Sequence, residues 1–404
     1  MSNSKIKILF IPADNIEANI SRSYYFAKGL TKYSELYFVT WKDYRSVQWL
    51  GGKLSKVNTL KCFFQSYFSK YKLFNNKEDN FTRVNCSVFV DAIVGKLLGR
   101  VYTKKIMRKH NAKTLKKLIS EIKPDVIFYS DAGYFFPALK NTKILQICDI
   151  QDDTNWTQFS PSLQDYEKAY KKKQYQKFDI HYIVSQNAKK NVSNNIGEFP
   201  FKVVYNGADF TEIQKDYTDE IKAIKDQFKL HNKYIITHVG SATWVDPKFT
   251  KKLFSELYKV DSSIILLLVG SMAKIDLPNV INVGMVPAAE SYIYYNLTDL
   301  ALLLKNSKGS NFLYNSVPLK NIQYGAASKP VISFPIEWLE TEKFTNTFII
   351  ESDTTEDWIK KINEVRNSFK WNKSDTNQWK NYDWNLICEN IFAEITAELT
   401  ISKF

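Results

Sequence analysis

Short apolar runs separated by helix-length segments recur along the chain, and their spacing predicts an alternating α/β protein. Ile6-Lys-Ile-Leu-Phe-Ile-Pro12 reads as a first central strand. The loop Asp14 to Asn19, an amphipathic helix over Ser21 to Tyr33 and a second strand over Glu35 to Trp41 follow. This β-α-β opening is that of a doubly wound domain, but it has no Gly-x-Gly-x-x-Gly, so no dinucleotide fingerprint is expected there. Beyond residue 111 the pattern predicts a helix over Lys113 to Ile122 and strands over Asp125 to Ser130, Lys143 to Cys148 and Asp179 to Ser185. A polar helix over Ser162 to Lys177 and a closing strand over Val203 to Gly207 complete the set. The polar stretch Asp209 to Asn232 reads as the connection to a second domain.

That second domain repeats the pattern. Strands are predicted over Tyr234 to Gly240, Ile264 to Gly270, Val280 to Gly284, Leu300 to Leu304 and Pro330 to Phe334, several ending in glycine, where backbone can approach a ligand. A tryptophan-rich tail (Trp371, Trp379, Trp384) leads into a final helix from about Trp384 to Leu399. The expected organisation is therefore a first domain over 1–210, a second over 211–384, and a terminal segment 385–404 crossing back to the first.

One stretch of the second domain carries a chemical signal. In Asn315-Ser-Val-Pro-Leu-Lys-Asn-Ile-Gln-Tyr-Gly-Ala-Ala-Ser-Lys-Pro-Val-Ile332, Pro318 suits the first turn of a helix and Ser316 a cap. The helix should end near Ala327, ahead of Lys329-Pro330. Lys320 then lies in the first turn, where a cation opposes the helix dipole unless an anion shares the place. A bound phosphate and an ordinary solvated lysine are both compatible with these residues alone.

Composition adds a partner and removes some classes. The four cysteines (Cys62, Cys86, Cys148, Cys388) have no paired spacing, which argues against a disulfide framework or a zinc site and fits a reducing cytoplasm. The opening Met-Ser-Asn-Ser-Lys leads into the first strand, so no signal peptide is expected. The apolar run Ile264 to Gly270 is far short of the roughly 20 residues of a membrane span. The net charge of +14 is matched by residues 41–123 alone, with 19 Lys and Arg against 5 Asp and Glu. Within the basic region 42–111, Cys62 to Phe74 mixes aromatics with lysines. Val88 to Lys109 sets apolar clusters beside Lys96, Arg100, Lys104, Lys105, Arg108 and Lys109. A helix there would have one apolar and one basic face, suited to an anionic membrane surface. A domain helix with a solvated charged face has the same pattern, and a nucleic-acid-binding protein could use the same charge.

Five motifs in order resemble the two-domain GT-B glycosyltransferases: Tyr205-Asn-Gly-Ala-Asp209, His238-Val-Gly-Ser-Ala242, Leu268-Val-Gly270, Asn279-Val-Ile-Asn-Val-Gly284 and Pro318-Leu-Lys-Asn-Ile-Gln-Tyr324. Gly240-Ser with Asp246-Pro-x-Phe249, and Leu319-Lys-x-x-Gln-Tyr324, resemble most the xanthan-type β-glucuronosyltransferases of glycosyltransferase family 70. The resemblance is clearest from Val203 to Phe334. It implies two Rossmann-like domains facing across a cleft, the second holding a nucleotide-diphosphate sugar, UDP-linked with UDP-glucuronate among the candidates. The first would hold a lipid-linked saccharide acceptor for exopolysaccharide or capsule synthesis. By the same resemblance Lys320 binds the diphosphate, Gln323 contacts ribose or phosphate, Gly240 and Ser241 admit the phosphates, and Met285 marks base recognition through main chain. Other GT-B enzymes usually have glutamate where Gln323 stands.

An inverting transfer needs a base to take the proton of the acceptor hydroxyl. Cys148-Asp-Ile-Gln-Asp-Asp-Thr-Asn-Trp156 follows a predicted strand of the first domain, and the family pattern puts the base at Asp152, with Asp149 and Asp153 as alternatives. Three carboxylates buried together would raise one another's pKa. An acidic loop or helix cap is the structural alternative. No metal and no bound cofactor are expected, since GT-B enzymes neutralise the leaving diphosphate with lysine and helix dipoles. His181 and His238, inside apolar strands, read as core residues. The expected protein is a cytoplasmic transferase, peripheral on the inner face of the cell membrane, with nucleic acid not a partner. A retaining transferase or a sugar-nucleotide epimerase is the alternative within the fold.

Overall fold

A computed structural model of the chain describes residues 5–12, 21–41, 72–76, 80–86, 99–130, 136–152, 154, 156, 159–241, 244–270, 274–305, 311–370 and 373–401. The chain divides into two compact units, Met1–Val204 with Cys388–Phe404, and Tyr205–Ile387. Both are α/β units built on a largely parallel sheet.

The first unit contains strands β1 (Lys7–Ile11), β2 (Glu35–Trp41), β3 (Lys72–Asn76), β4 (Phe81–Cys86), β5 (Val126–Ser130), β6 (Leu145–Ile150), β7 (Ile180–Ile183) and β8 (Lys202–Val203). They pair in the order β3-β4-β2-β1-β5-β6-β7-β8, all parallel except the β3 edge. β1 and β5 are apolar almost throughout, and with β6 they are buried, as strands covered on both faces must be. Stacked Phe10, Phe38 and Phe128 run across neighbouring strands of the core. β3 and β4 fall in the stretch that periodicity did not assign, and β8 is only two residues long where a five-residue strand was expected.

The basic helix differs from expectation. The helix observed runs Arg100–Ile122, merging the end of one predicted segment with the whole of the next. Lys104 and Arg108, expected on a basic outer face, are buried. Arg108 pairs with Glu167 of the helix Pro161–Tyr175 at 2.7 Å and lies over the Tyr170 ring. Charge periodicity could not reveal this inward turn, because the partner carboxylate comes from a helix distant in sequence. Lys105, Lys109, Lys113, Lys116 and Lys117 remain exposed. Most of the basic region, including 42–71 and 87–98, lies outside the described residues. No described helix is long and apolar enough to cross a membrane.

The second unit contains β9 (Tyr234–Val239), β10 (Ile264–Val269), β11 (Val280–Gly284), β12 (Leu300–Leu303), β13 (Val331–Ser333) and β14 (Thr347–Ile349). All run parallel in the order β11-β10-β9-β12-β13-β14. Numbered from the first strand, this is the 3-2-1-4-5-6 order of nucleotide-binding doubly wound sheets, in which the connections reverse between β9 and β12. The core is packed by Leu253, Phe254 and Leu257 of the helix Pro247–Val260 and by Trp358, Ile362 and Val365 of Thr355–Ser368. Asp246, noted in the sequence as part of a family-like motif, caps the first of these helices by accepting from the Lys248 and Phe249 amides.

Tyr205-Asn-Gly-Ala-Asp209 belongs to the second unit and is not the end of a first-unit strand. Asn206 Nδ2 donates to the Val317 carbonyl at 2.7 Å, and Ala208 pairs with Asp383. The last helix, Trp384–Ile401, starts in the second unit and enters the first at Cys388. There Phe392 stacks on Tyr33, and Glu394 accepts from Tyr182 at 3.0 Å. Trp371 lies outside the described residues.

Candidate functional site

The carboxyl edge of the second sheet brings together residues far apart in sequence. β9 is followed directly by Gly240, whose φ of +139° is open to glycine and strained for other residues. Gly270 follows β10 with a φ of +123°, and a Cβ there would stand 1.9 Å from the Gly240 carbonyl oxygen. The two backbones therefore approach as closely as glycine alone permits.

The helix Leu319–Ala326 begins at this edge. Pro318 is its N-cap, two residues later than Ser316, whose hydroxyl instead donates to the Leu313 carbonyl. Tyr324 ties the helix to β9. Its fully buried hydroxyl lies 2.9 Å from Thr237 Oγ1 and accepts from the Val239 amide at 3.0 Å. Lys320 lies one turn before Tyr324 and shares its face, so the same anchorage aims Lys320 at the end of β9. On the other side of the helix, Gly325 packs so closely on Trp379 that a Cβ would meet the indole at 2.2 Å.

Lys320 is 6% exposed, and its Nζ lies 3.1 Å from Nε2 of His238. The Trp244 ring centroid is 5.1 Å from the same nitrogen. A Cβ on Gly240 would come within 2.9 Å of it, so this glycine also makes room for the lysine. Among the described residues no carboxylate pairs with Lys320, and burial holds its pKa well below the ordinary 10.5. His238 is fully buried; burial first, and the neighbouring Lys320 second, hold its pKa well below the ordinary 6.5. A buried ammonium facing a neutral ring is chemically incomplete, since buried charges are normally paired. An anion at this edge would complete it. The first turn of the helix has no acidic residue, so the positive end of its dipole also favours an anion.

The other residues singled out in this unit divide around that point. Ser241, exposed, follows Gly240 directly. Gln323 is buried on the helix and accepts a hydrogen bond from Tyr295. Met285 is 69% exposed just beyond β11, two strand spacings or about 10 Å from β9. His238 and Trp244 were missed as site residues. The sole signal for His238 was a polar residue two positions before the strand-ending glycine, a pattern shared with core histidines.

In the first unit Asp149 and Asp152 stand in different surroundings. Asp149 is fully buried in β6 and takes both Nε and Nη2 of Arg22, at 2.9 and 2.8 Å. Ser23 Oγ donates to Ser130 Oγ at 3.1 Å, and Gln151 hydrogen-bonds both serines, closing a buried polar cluster. Asp152 is exposed beyond the carboxyl end of β6. Asp153 lies outside the described residues. Asp149 and Asp152 are therefore not buried together: Asp149 is fully buried, and Asp152 is exposed.

No protein-family model matches the chain, and no curated protein matches it in sequence. Solved structures match in fold. Sucrose-phosphate synthase from Thermosynechococcus elongatus superposes with a TM-score of 0.69 at 10% identity, over 98% of this chain and 100% of that one. Anabaena HepE, solved in complex with UDP-glucose, gives 0.62 at 13% identity over 97% and 100%. A Listeria monocytogenes protein described as a putative UDP-N-acetylglucosamine 2-epimerase gives 0.57 at 12% identity over 98% and 97%. The chain has the GT-B fold, with two Rossmann-like units. At these identities the likeness is one of fold.

Proposed function

We propose that the protein is a glycosyltransferase that moves a sugar from a UDP-sugar donor to a saccharide acceptor. Lys320 carries the reading: a buried ammonium at the switch point of a nucleotide-binding sheet, beside a helix N-terminus, with no carboxylate partner among the described residues. The fold shared with sucrose-phosphate synthase and with HepE, the latter solved with UDP-glucose, supports a nucleotide sugar as the missing anion. In this reading Lys320 and the helix dipole stabilise the departing diphosphate without a metal. Gly240 and Ser241 admit the phosphates, Gln323 contacts ribose or phosphate, and main chain at Met285 meets the base.

Asp152 is assigned as the base of a direct displacement with inversion, from the family pattern and its exposed place beyond the carboxyl end of β6. Asp153 stays the alternative. The resemblance to the xanthan-type enzymes of family 70 supports UDP-glucuronate as donor and a lipid-linked acceptor in surface-polysaccharide synthesis, at the cytoplasmic face of the membrane. The exposed lysines of Arg100–Ile122 support an anionic membrane surface as partner.

Calorimetric titration with UDP tests the donor site. Lys320→Ala should lose tenfold or more in affinity, as expected when a charge-assisted contact of about 1.5–3 kcal/mol is removed. Unchanged affinity would overturn the assignment. The epimerase neighbour keeps a second reading open, and the products separate them: a transferase consumes an acceptor, whereas an epimerase interconverts UDP-sugars without one. Anomeric configuration of the transferred sugar then decides inversion. For the membrane, Lys105→Ala with Lys109→Ala should weaken partition to phosphatidylserine vesicles about 30-fold, at about 1 kcal/mol per lysine. Equal partition would remove the membrane from the reading.

A further inference from the structure

His238 is a buried titratable group to which the donor reading gives no task. It stands next to the last residue of β9, on a sheet whose other buried central residues, Thr237 apart, are apolar. Its Nδ1 lies 2.8 Å from the Leu302 carbonyl of β12, so Nδ1–H donates there and the proton is fixed on that nitrogen. The Nε2 lone pair is thereby left as an acceptor, and Lys320 Nζ donates to it at 3.1 Å. Gly240 clears the space around the lysine, and Trp244 bounds it.

The chemistry of the acceptor matters. A lysine side chain carries about 2 kcal/mol of rotamer entropy, which is lost on binding unless the chain is already held. A carboxylate at the position of the imidazole would hold it firmly, but would also neutralise it and compete with the incoming anion. A neutral ring locked in one tautomer holds the amino group by one hydrogen bond and leaves its positive charge, once taken up, for the anion.

We propose that His238 is the positioning residue of the donor site: its Nε2 lone pair keeps the Lys320 amino group aimed at the carboxyl edge of β9 and yields it to the diphosphate. This rests on the reading that Lys320 binds the diphosphate. His238 touches no substrate atom and acts through the lysine alone.

Two substitutions separate the nitrogens. Asparagine places an amide near the position of Nδ1 and can keep the Leu302 contact, while glutamine reaches the position of Nε2 and can keep the acceptor for Lys320. His238→Asn should weaken UDP about tenfold and leave uridine, which lacks the diphosphate, unchanged. His238→Gln should retain most of the UDP affinity. Equal loss for UDP and uridine, or wild-type UDP affinity in His238→Asn, overturns the proposal. Lys320→Ala in the same assay distinguishes the failures: wild-type affinity there removes the donor reading itself, whereas loss there with none in His238→Asn removes the positioning role alone. Should the variants unfold, 15N-histidine spectra of the wild-type protein serve. On UDP saturation the Nε2 resonance of His238 should move while Nδ1 stays protonated, and an unmoved Nε2 resonance overturns the proposal.

Discussion

Each unit buries a cation at the carboxyl edge of its sheet, and the two are treated in opposite ways. In the first unit Arg22 is met by Asp149 through two parallel hydrogen bonds, with Ser23, Ser130 and Gln151 closing the cluster. In the second unit Lys320 meets Nε2 of His238 and the Trp244 ring, with no carboxylate partner among the described residues. A bidentate guanidinium–carboxylate pair is complete within the chain and belongs to the architecture. A desolvated ammonium without a counter-charge is complete only with something from outside, and so belongs to binding.

The largest effect that separates these roles is on stability. Asp149→Ala strands a buried guanidinium and should cost about 3–5 kcal/mol in urea unfolding, whereas Lys320→Met removes a charge that burial already disfavours and should cost less than about 1 kcal/mol. If both variants were equally destabilised, Lys320 would be as structural as Arg22 and the contrast would collapse.

A smaller effect is the pH dependence of the second site. Because burial lowers the folded-state pKa of Lys320, the unfolded chain holds a proton that the folded one lacks between that lowered value and the ordinary 10.5. Stability of the unliganded protein should therefore rise with pH across this window, by at most about 1.4 kcal/mol per pH unit from this group. An anion bound beside Lys320 restores the ammonium, so binding takes up a proton and UDP affinity should fall as pH rises through the same window. Lys320→Met should flatten both slopes. A wild-type affinity independent of pH there would show that Lys320 keeps its charge without a ligand.

How far the sequence could be read varies between the units for a physical reason. In the second unit each of five apolar runs became a strand, because a parallel sheet covered on both faces needs continuous apolar residues and helix-length connections. In the first, β3 and β4 escaped because they lie in a stretch with mixed aromatic and basic residues, where periodicity of two is hidden. The helix Arg100–Ile122 was misread for a related reason: Lys104 and Arg108 are polar by type but turned inward, with Glu167 supplied for Arg108. Charge counted along a chain says how much is present and leaves open which side of a helix it occupies.

Sequence alone determined the α/β alternation, the doubly wound second unit, and the helix that starts just ahead of Lys320, since hydrophobic period and proline placement act over neighbouring residues. Tertiary structure alone decided what each charged group meets. Arg22 and Asp149 are 127 positions apart, and Lys320 and His238 are 82 apart. Whether a buried charge finds a carboxylate or a neutral imidazole depends on strand order and helix anchorage, here the pairing of β9 with β12 and the seating of Tyr324 on β9. These long-range choices separate an internal ion pair from a place prepared for an anion.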